Sequence, residues 1–178
     1  MAGTVRWAGL VRNVMVGREG LDRDTLLGAV EAAGGRDPRS LLTTGNVTFD
    51  ASPDEVDAIT LRLEDAVSAV LGRREVVAVR SLEHLADLLA TDPFAGLDPG
   101  AWAMEVSFLR HDAAPIDPAL IGDAGRTRVL DVRALELVTA RPPTGGNRPH
   151  GNVLLQRGTG LPATARGWGT LERIVARG

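Results

Sequence analysis

The sequence contains no cysteine, no tyrosine and no lysine, and only three histidines. Without a thiol there is no disulfide, no thiolate zinc or iron–sulfur site, and no cysteine nucleophile. His84, His111 and His150 share no metal-ligand spacing, so each reads as an ordinary surface or helix residue, and the reading includes neither metal nor cofactor. No apolar run approaches the length that spans a bilayer. Arg6, Trp7 and Arg12 interrupt the N-terminus where a signal peptide carries its apolar region, so the expectation is a cytoplasmic chain without a membrane partner. A P-loop, a GxSxG elbow, an HExxH pair and a Rossmann fingerprint are all missing as well. No residue constellation identifies a reaction, and whether the chain is an enzyme stays open.

What is present is the balance of a folded domain: 178 residues, 44% hydrophobic and 24% charged. The formal net charge of −3 supplies no global positive field for nucleic acid or an anionic membrane, which argues against a nucleic-acid partner. All 20 basic residues are arginine, amid abundant Ala, Gly and Val. This is the composition of a GC-rich coding bias, and it lowers the functional weight of any single arginine.

Thr4 to Val11 is short, apolar and β-leaning and runs into a polar, Gly-containing loop up to Gly20. Asp22 to Ala33 carries Leu26, Leu27 and Val30 at helical spacing and stops at Gly34-Gly35. Arg39 to Thr43 and Val47 to Asp50 flank Thr44-Gly45-Asn46, residues that tolerate a tight turn, and so read as a hairpin. Ser52 reads as the cap of a second helix whose apolar stripe runs from Val56 to Leu71, and Glu75 to Arg80 as a Val-rich strand. This β-α-β-β-α-β order is the ferredoxin-like split unit.

A connecting helix, Ser81 to Ala90, leads into a second, degenerate copy. Its strands are Ala103 to Leu109, Val129 to Val132 and Leu135 to Ala140, with short helices at Asp117 to Ile121 and Asn152 to Gln156. Arg141 to Gly151 reads as loop, and Trp168 to Ala176 as a closing amphipathic helix. The expected fold is thus α+β, two ferredoxin-like halves packed together (residues 1–80 and 81–178) with a C-terminal helix.

In such a unit the third strand returns antiparallel, which brings the end of the first strand beside the hairpin turn. Arg12 and Asn13 are therefore expected to share a rim with Thr44, Gly45 and Asn46, with Gly17 in the adjoining loop and the first helix aiming its free N–H groups there. A positive helix end, an arginine and turn amides suit a phosphate or carboxylate. The bland alternative is that Gly17, Gly20 and Gly45 relieve backbone strain and Arg12 pairs with a nearby acid. Acid pairs such as Asp22 with Asp24, or Glu64 with Asp65, fall on helix starts or solvated faces, where acids belong electrostatically. RNA-binding proteins of this topology stack bases on the two central strands, here Trp7 and Phe49, and that use demands exposed rings.

Four blocks carry a resemblance. Leu10-Val11-Arg12 with Val16 and Gly17, Thr44-Gly45-Asn46-Val47-Thr48-Phe49, Asp92-Pro93-Phe94, and Thr164-Ala165-Arg166-Gly167-Trp168-Gly169-Thr170 resemble, in order and spacing, motifs of an uncharacterised bacterial family, domain of unknown function 1697. The resemblance implies the paired ferredoxin-like fold and supplies no reaction. Asn13 and Met15 replace a Gly and an Asn of the family pattern, while Gly167 and Gly169 stand where the family has Asn. If those Asn side chains hold a ligand in relatives, this chain has changed that site. The motif positions add Arg166 and Thr170 to the candidates for ligand contact, alongside Arg12, Asn13, Gly17, Gly45 and Asn46. In structural terms Asn46 equally sets a turn, Arg166 and Thr170 brace the last helix, and Trp168 fills the seam between the halves. The reading favours non-metal binding of a small anionic, nucleotide-like ligand at the first rim. A single-stranded nucleic-acid binder using the sheet face and an interaction module without a ligand are its alternatives.

Overall fold

The computed structural model describes residues 3–178. Strands β1 (Val5–Val11), β2 (Arg36–Leu41), β3 (Asn46–Ala51) and β4 (Val77–Ser81) form one antiparallel sheet in the order β2-β3-β1-β4. Helices α1 (Arg23–Ala33) and α2 (Val56–Leu71) accompany them in the order β-α-β-β-α-β. Pro38 falls in β2, which lies at the sheet edge, where a residue lacking an N–H interrupts no inner ladder. Trp7, Val11, Val47, Phe49, Ala51, Val77 and Val79 alternate onto one face and meet Leu26, Val30, Ile59, Leu63 and Val67 from the helices. Each large aliphatic or aromatic side chain so buried contributes about 1.5–3 kcal/mol.

After α3 (Leu82–Ala90), β5 (Ala103–Leu109), β6 (Arg128–Val132), β7 (Glu136–Arg141) and β8 (Ala163–Gly167) repeat the arrangement in the order β6-β7-β5-β8. The second copy is degenerate in its first helix, reduced to a 3-10 turn at Pro118–Leu120, whereas α4 (Gly151–Thr159) is a full helix. Its core gathers Leu109, Ile116, Leu137, Leu154, Leu155 and Ala163. The C-terminal helix is α5 (Trp168–Arg177). The chain divides into two compact units, Met1–Asp87 with Arg173–Gly178, and Leu88–Glu172. Within the first, Arg39 donates from Nη1 to the Gly178 carbonyl at 3.2 Å. Among the described residues no helix is long and apolar enough to cross a membrane.

Three local readings change. Residues Ala163–Gly167, taken only as part of a motif, form β8; alanine and glycine are poor strand formers, and this strand exists because β5 pairs with it. β2 begins at Arg36, three residues earlier than its apolar pattern suggests, across a bulge. Ser52 does not cap α2: Glu55 stands at the cap, and its carboxylate instead accepts from the Ser52 hydroxyl (2.8 Å) and amide (3.2 Å).

Asp22 does cap α1, accepting from the Thr25 N–H at 2.8 Å. Hydrogen bonds from Thr25 hold the Asp22 carboxyl below the usual aspartate range, and bonds from Ser52 do the same for Glu55. Because both folded values are depressed, this stabilisation is present at neutral pH and is lost as pH falls through them. Between about pH 6 and about pH 3 the urea midpoint should drop further in the wild type than in Asp22→Ala. Equal drops would show that the cap contributes nothing.

Candidate functional site

The expected rim forms because β1 and β3 are antiparallel, with Leu10 opposite Asn46. The Val11 N–H donates to the Gly45 carbonyl at 2.8 Å, and the Arg12 N–H to the Val76 carbonyl at 3.0 Å. Arg12 therefore stands between the hairpin turn and the start of β4. The Val16 N–H reaches the Thr43 carbonyl at 2.7 Å and ties the first loop to the turn, next to exposed Met15 and Leu42. Gly17 lies in that loop with φ 92°, its N–H donating to the Leu21 carbonyl at 2.8 Å. Asn46 is buried and braces the turn from inside, its Nδ2 donating to the Leu41 carbonyl and to Thr44 Oγ1, both at 3.0 Å. At α1 the place for an acceptor is already taken by Asp22.

Arg12 has its acid. Its Nη1 donates to Glu75 Oε2 at 3.0 Å, and the Asn13 carboxamide oxygen accepts from the same nitrogen at 2.8 Å. Arg73 donates from Nε to the other oxygen of Glu75 at 3.0 Å, from Nη1 and Nη2 to the two oxygens of Glu19 at 3.0 and 3.1 Å, and from Nη2 to the Asn13 carbonyl at 2.9 Å. One buried carboxylate thus holds two guanidinium groups whose mutual repulsion it offsets, a geometry that the planar donor fork of arginine favours. Glu19 and Glu75 hold Arg73 still more firmly protonated.

Beside this cluster opens a cleft of about 440 Å³ lined by Glu64, Asp65, Ser68, Ala69, Gly72, Arg73, Arg74 and Glu75. Ser68 Oγ accepts from the Glu75 N–H at 3.0 Å, and Glu64 Oε1 from the Val77 N–H at 2.9 Å, which fixes the entry into β4. Arg74 and Asp65 make no ion pair or side-chain hydrogen bond among the described residues. Sequence reading missed this wall. Its trace was the Arg73-Arg74-Glu75 run after the helix stop at Gly72, which β1–β4 pairing carries to Arg12 across 63 positions.

Arg166 and Thr170 belong to the other unit. Arg166, on β8, is buried and donates from Nη1 to Thr164 Oγ1 at 2.7 Å and to the Ala165 carbonyl at 2.8 Å. Burial pushes its guanidinium down to about 10, which leaves it cationic at neutral pH. Thr170 is half-buried in the first turn of α5. Two motif blocks meet there: the Phe94 and Trp168 rings pack edge to face with centroids 4.8 Å apart. Phe49 is fully buried, and Trp7 packs on the same core with its Nε1 donating to the Ala51 carbonyl, so the exposed pair that base stacking demands is not presented. Among the described residues, no group of three or more His, Asp or Glu could hold a metal ion.

A family model described as Protein of unknown function (DUF1697) matches residues 5–128. No curated protein matches the chain. Among solved structures, the chain is similar to the conserved bacterial protein SP0830 from Streptococcus pneumoniae, at 15% identity, over 98% of either chain, with a TM-score of 0.68. At that identity the likeness shows the fold alone.

Proposed function

Because the chain belongs to the DUF1697 family, whose description assigns no reaction, we propose a function from the site: the first unit binds a small, nucleotide-like anion at the Arg12 rim and its adjoining cleft. The observation that carries this reading is Arg74. It lines the cleft without an acid partner among the described residues, next to Arg73 and Arg12, whose charges Glu75 and Glu19 already meet. An incoming phosphate or carboxylate pairs with Arg74.

The opposite wall refines the ligand class. Asp65 presents an unpaired acceptor within the same cleft, which suits the hydroxyl or amino donors of a nucleotide better than a bare inorganic anion. Met15 and Leu42, exposed on adjacent segments of the rim, add apolar surface of the kind a base or other flat group covers.

Thermal melting against nucleoside monophosphates, sugar phosphates and dicarboxylates tests the proposal. A ligand at a hundred times its dissociation constant adds about 2.7 kcal/mol of apparent stability, an easily read rise in Tm. The rise given by nucleoside monophosphates should shrink sharply in Arg74→Ala, which disturbs no ion pair, and weaken in Arg12→Ala. A panel without a response, or a response unchanged in Arg74→Ala, would sink the reading.

A further inference from the structure

The two units repeat one another strand for strand. Trp7 faces Phe49 and Ser81 in the first sheet, and at the corresponding places Glu105 faces Thr139 and Gly167 in the second. Helix-facing positions that hold Trp7, Gly9, Phe49 and Ala51 in the first unit thus hold Glu105, Ser107, Thr139 and Arg141 in the second. The first set lies in an apolar core. The second is a polar patch beneath the first turn of α4. The fold evidently forms with apolar residues at these positions, and burying polar ones is unfavourable unless each finds a partner.

Not all of them do. Glu105 is well met: the Gly151 N–H donates to Oε1 at 2.9 Å and His150 Nδ1 lies 3.0 Å from Oε2. Ser107 Oγ and Thr139 Oγ1, on fully buried residues, and the Nε of Arg141 have no hydrogen-bond partner among the described residues. That Nε lies 3.5 Å from Glu105, an ion pair without a hydrogen bond. Both hydroxyls point at Gly151, the first residue of α4. A Cβ there would lie 2.6 Å from Ser107 Oγ and 2.9 Å from Thr139 Oγ1, so glycine permits the approach. His150, at the helix cap, makes no side-chain capping bond, and its half-exposed ring is held against Glu105.

These three groups can all donate, and the Arg141 Nε can only donate. They gather at the positive end of a helix. Arg148, on the loop into α4, donates to the Pro142 carbonyl at 3.4 Å, Arg126 lies against Gly145 of that loop, and of the three arginines Arg141 is the one ion-paired with Glu105. An acceptor-rich anion is the chemistry that satisfies such a set. We propose that the second unit holds a small-oxyanion site at the start of α4, in which Arg141, Ser107 and Thr139 take a phosphate-type group once the His150 ring swings off Glu105. This site shares no residue with the cleft of the first unit.

The test uses the full chain carrying Arg74→Ala, so that the first cleft is silent. The Gly151 amide and the His150 ring are followed by NMR as inorganic phosphate or, in parallel, glycerol 3-phosphate replaces chloride at constant ionic strength. Saturable shifts at both are expected, and the tighter of the two ligands tells whether the anion is taken free or as an ester. Adding Ser107→Ala with Thr139→Val removes two unmet hydroxyls: the ligand-free Tm should rise while phosphate binds about ten-fold more weakly. Arg141→Met should abolish the shifts. Resonances that stay still with both anions, or a hydroxyl-free variant with unchanged affinity, overturn the proposal.

Discussion

Replacing Phe49 with alanine is expected to destabilise the protein by about 3–5 kcal/mol, measured as the loss of unfolding free energy in urea. The ring is fully buried on the helix-facing side of β3, with Val30 and Phe49 together closing over Gly35 and the ring edge lying beside Gly9. Deleting it leaves a cavity that the surrounding strands and helices cannot collapse, and the loss is a large share of the roughly 5–15 kcal/mol that keeps a typical domain folded. Phe49→Leu, which keeps most of the volume, should cost about 1–2 kcal/mol. The series also bears on function. A ring held out for base stacking would change stability by less than about 0.5 kcal/mol on truncation. A small effect of Phe49→Ala would therefore revive the nucleic-acid reading, and a large one assigns the residue to packing.

How much of this was legible in the sequence depended on the distance over which each signal acts. The β1 strand, the α1 and α2 stripes and the Gly45 turn are local patterns, and the topology they imply was enough to place Arg12 beside Gly45. The partners of that arginine were not legible, because Glu75 reaches it through strand pairing and Arg73 through the exit of α2. Arg166 and Thr170 entered through motif resemblance alone, and the chain assigns them to another unit than Arg12. The polar patch of the second unit was visible but misleading. Glu105 and Ser107 alternate with Val106 and Phe108 along β5, the pattern of a strand with one wet face. The fold covers that face with α4 instead, and His150 meets Glu105 from 45 positions away, beyond the reach of any spacing rule.

Gly45→Ala is the second large effect, expected at about 2–4 kcal/mol. Gly45 sits at φ 68°, where a side chain costs about 1–2 kcal/mol through its own carbonyl contact. The added Cβ would also overlap the Val14 side chain and lie 3.2 Å from both the Cβ and the carbonyl oxygen of Val11. The two obstacles differ in kind: Val14 belongs to a loop and can be trimmed, whereas Val11 is fixed in β1 by its bond to the Gly45 carbonyl. Val14→Ala should therefore recover about 1 kcal/mol of the cost, read as coupling in a double-mutant cycle, and leave the backbone part untouched. The same cycle separates the two roles given to this glycine. If it only relieves strain, the doubly substituted protein binds the first-unit ligand as tightly as Val14→Ala does. If binding falls even though the steric part of the stability is recovered, the Gly45 backbone itself contacts the anion.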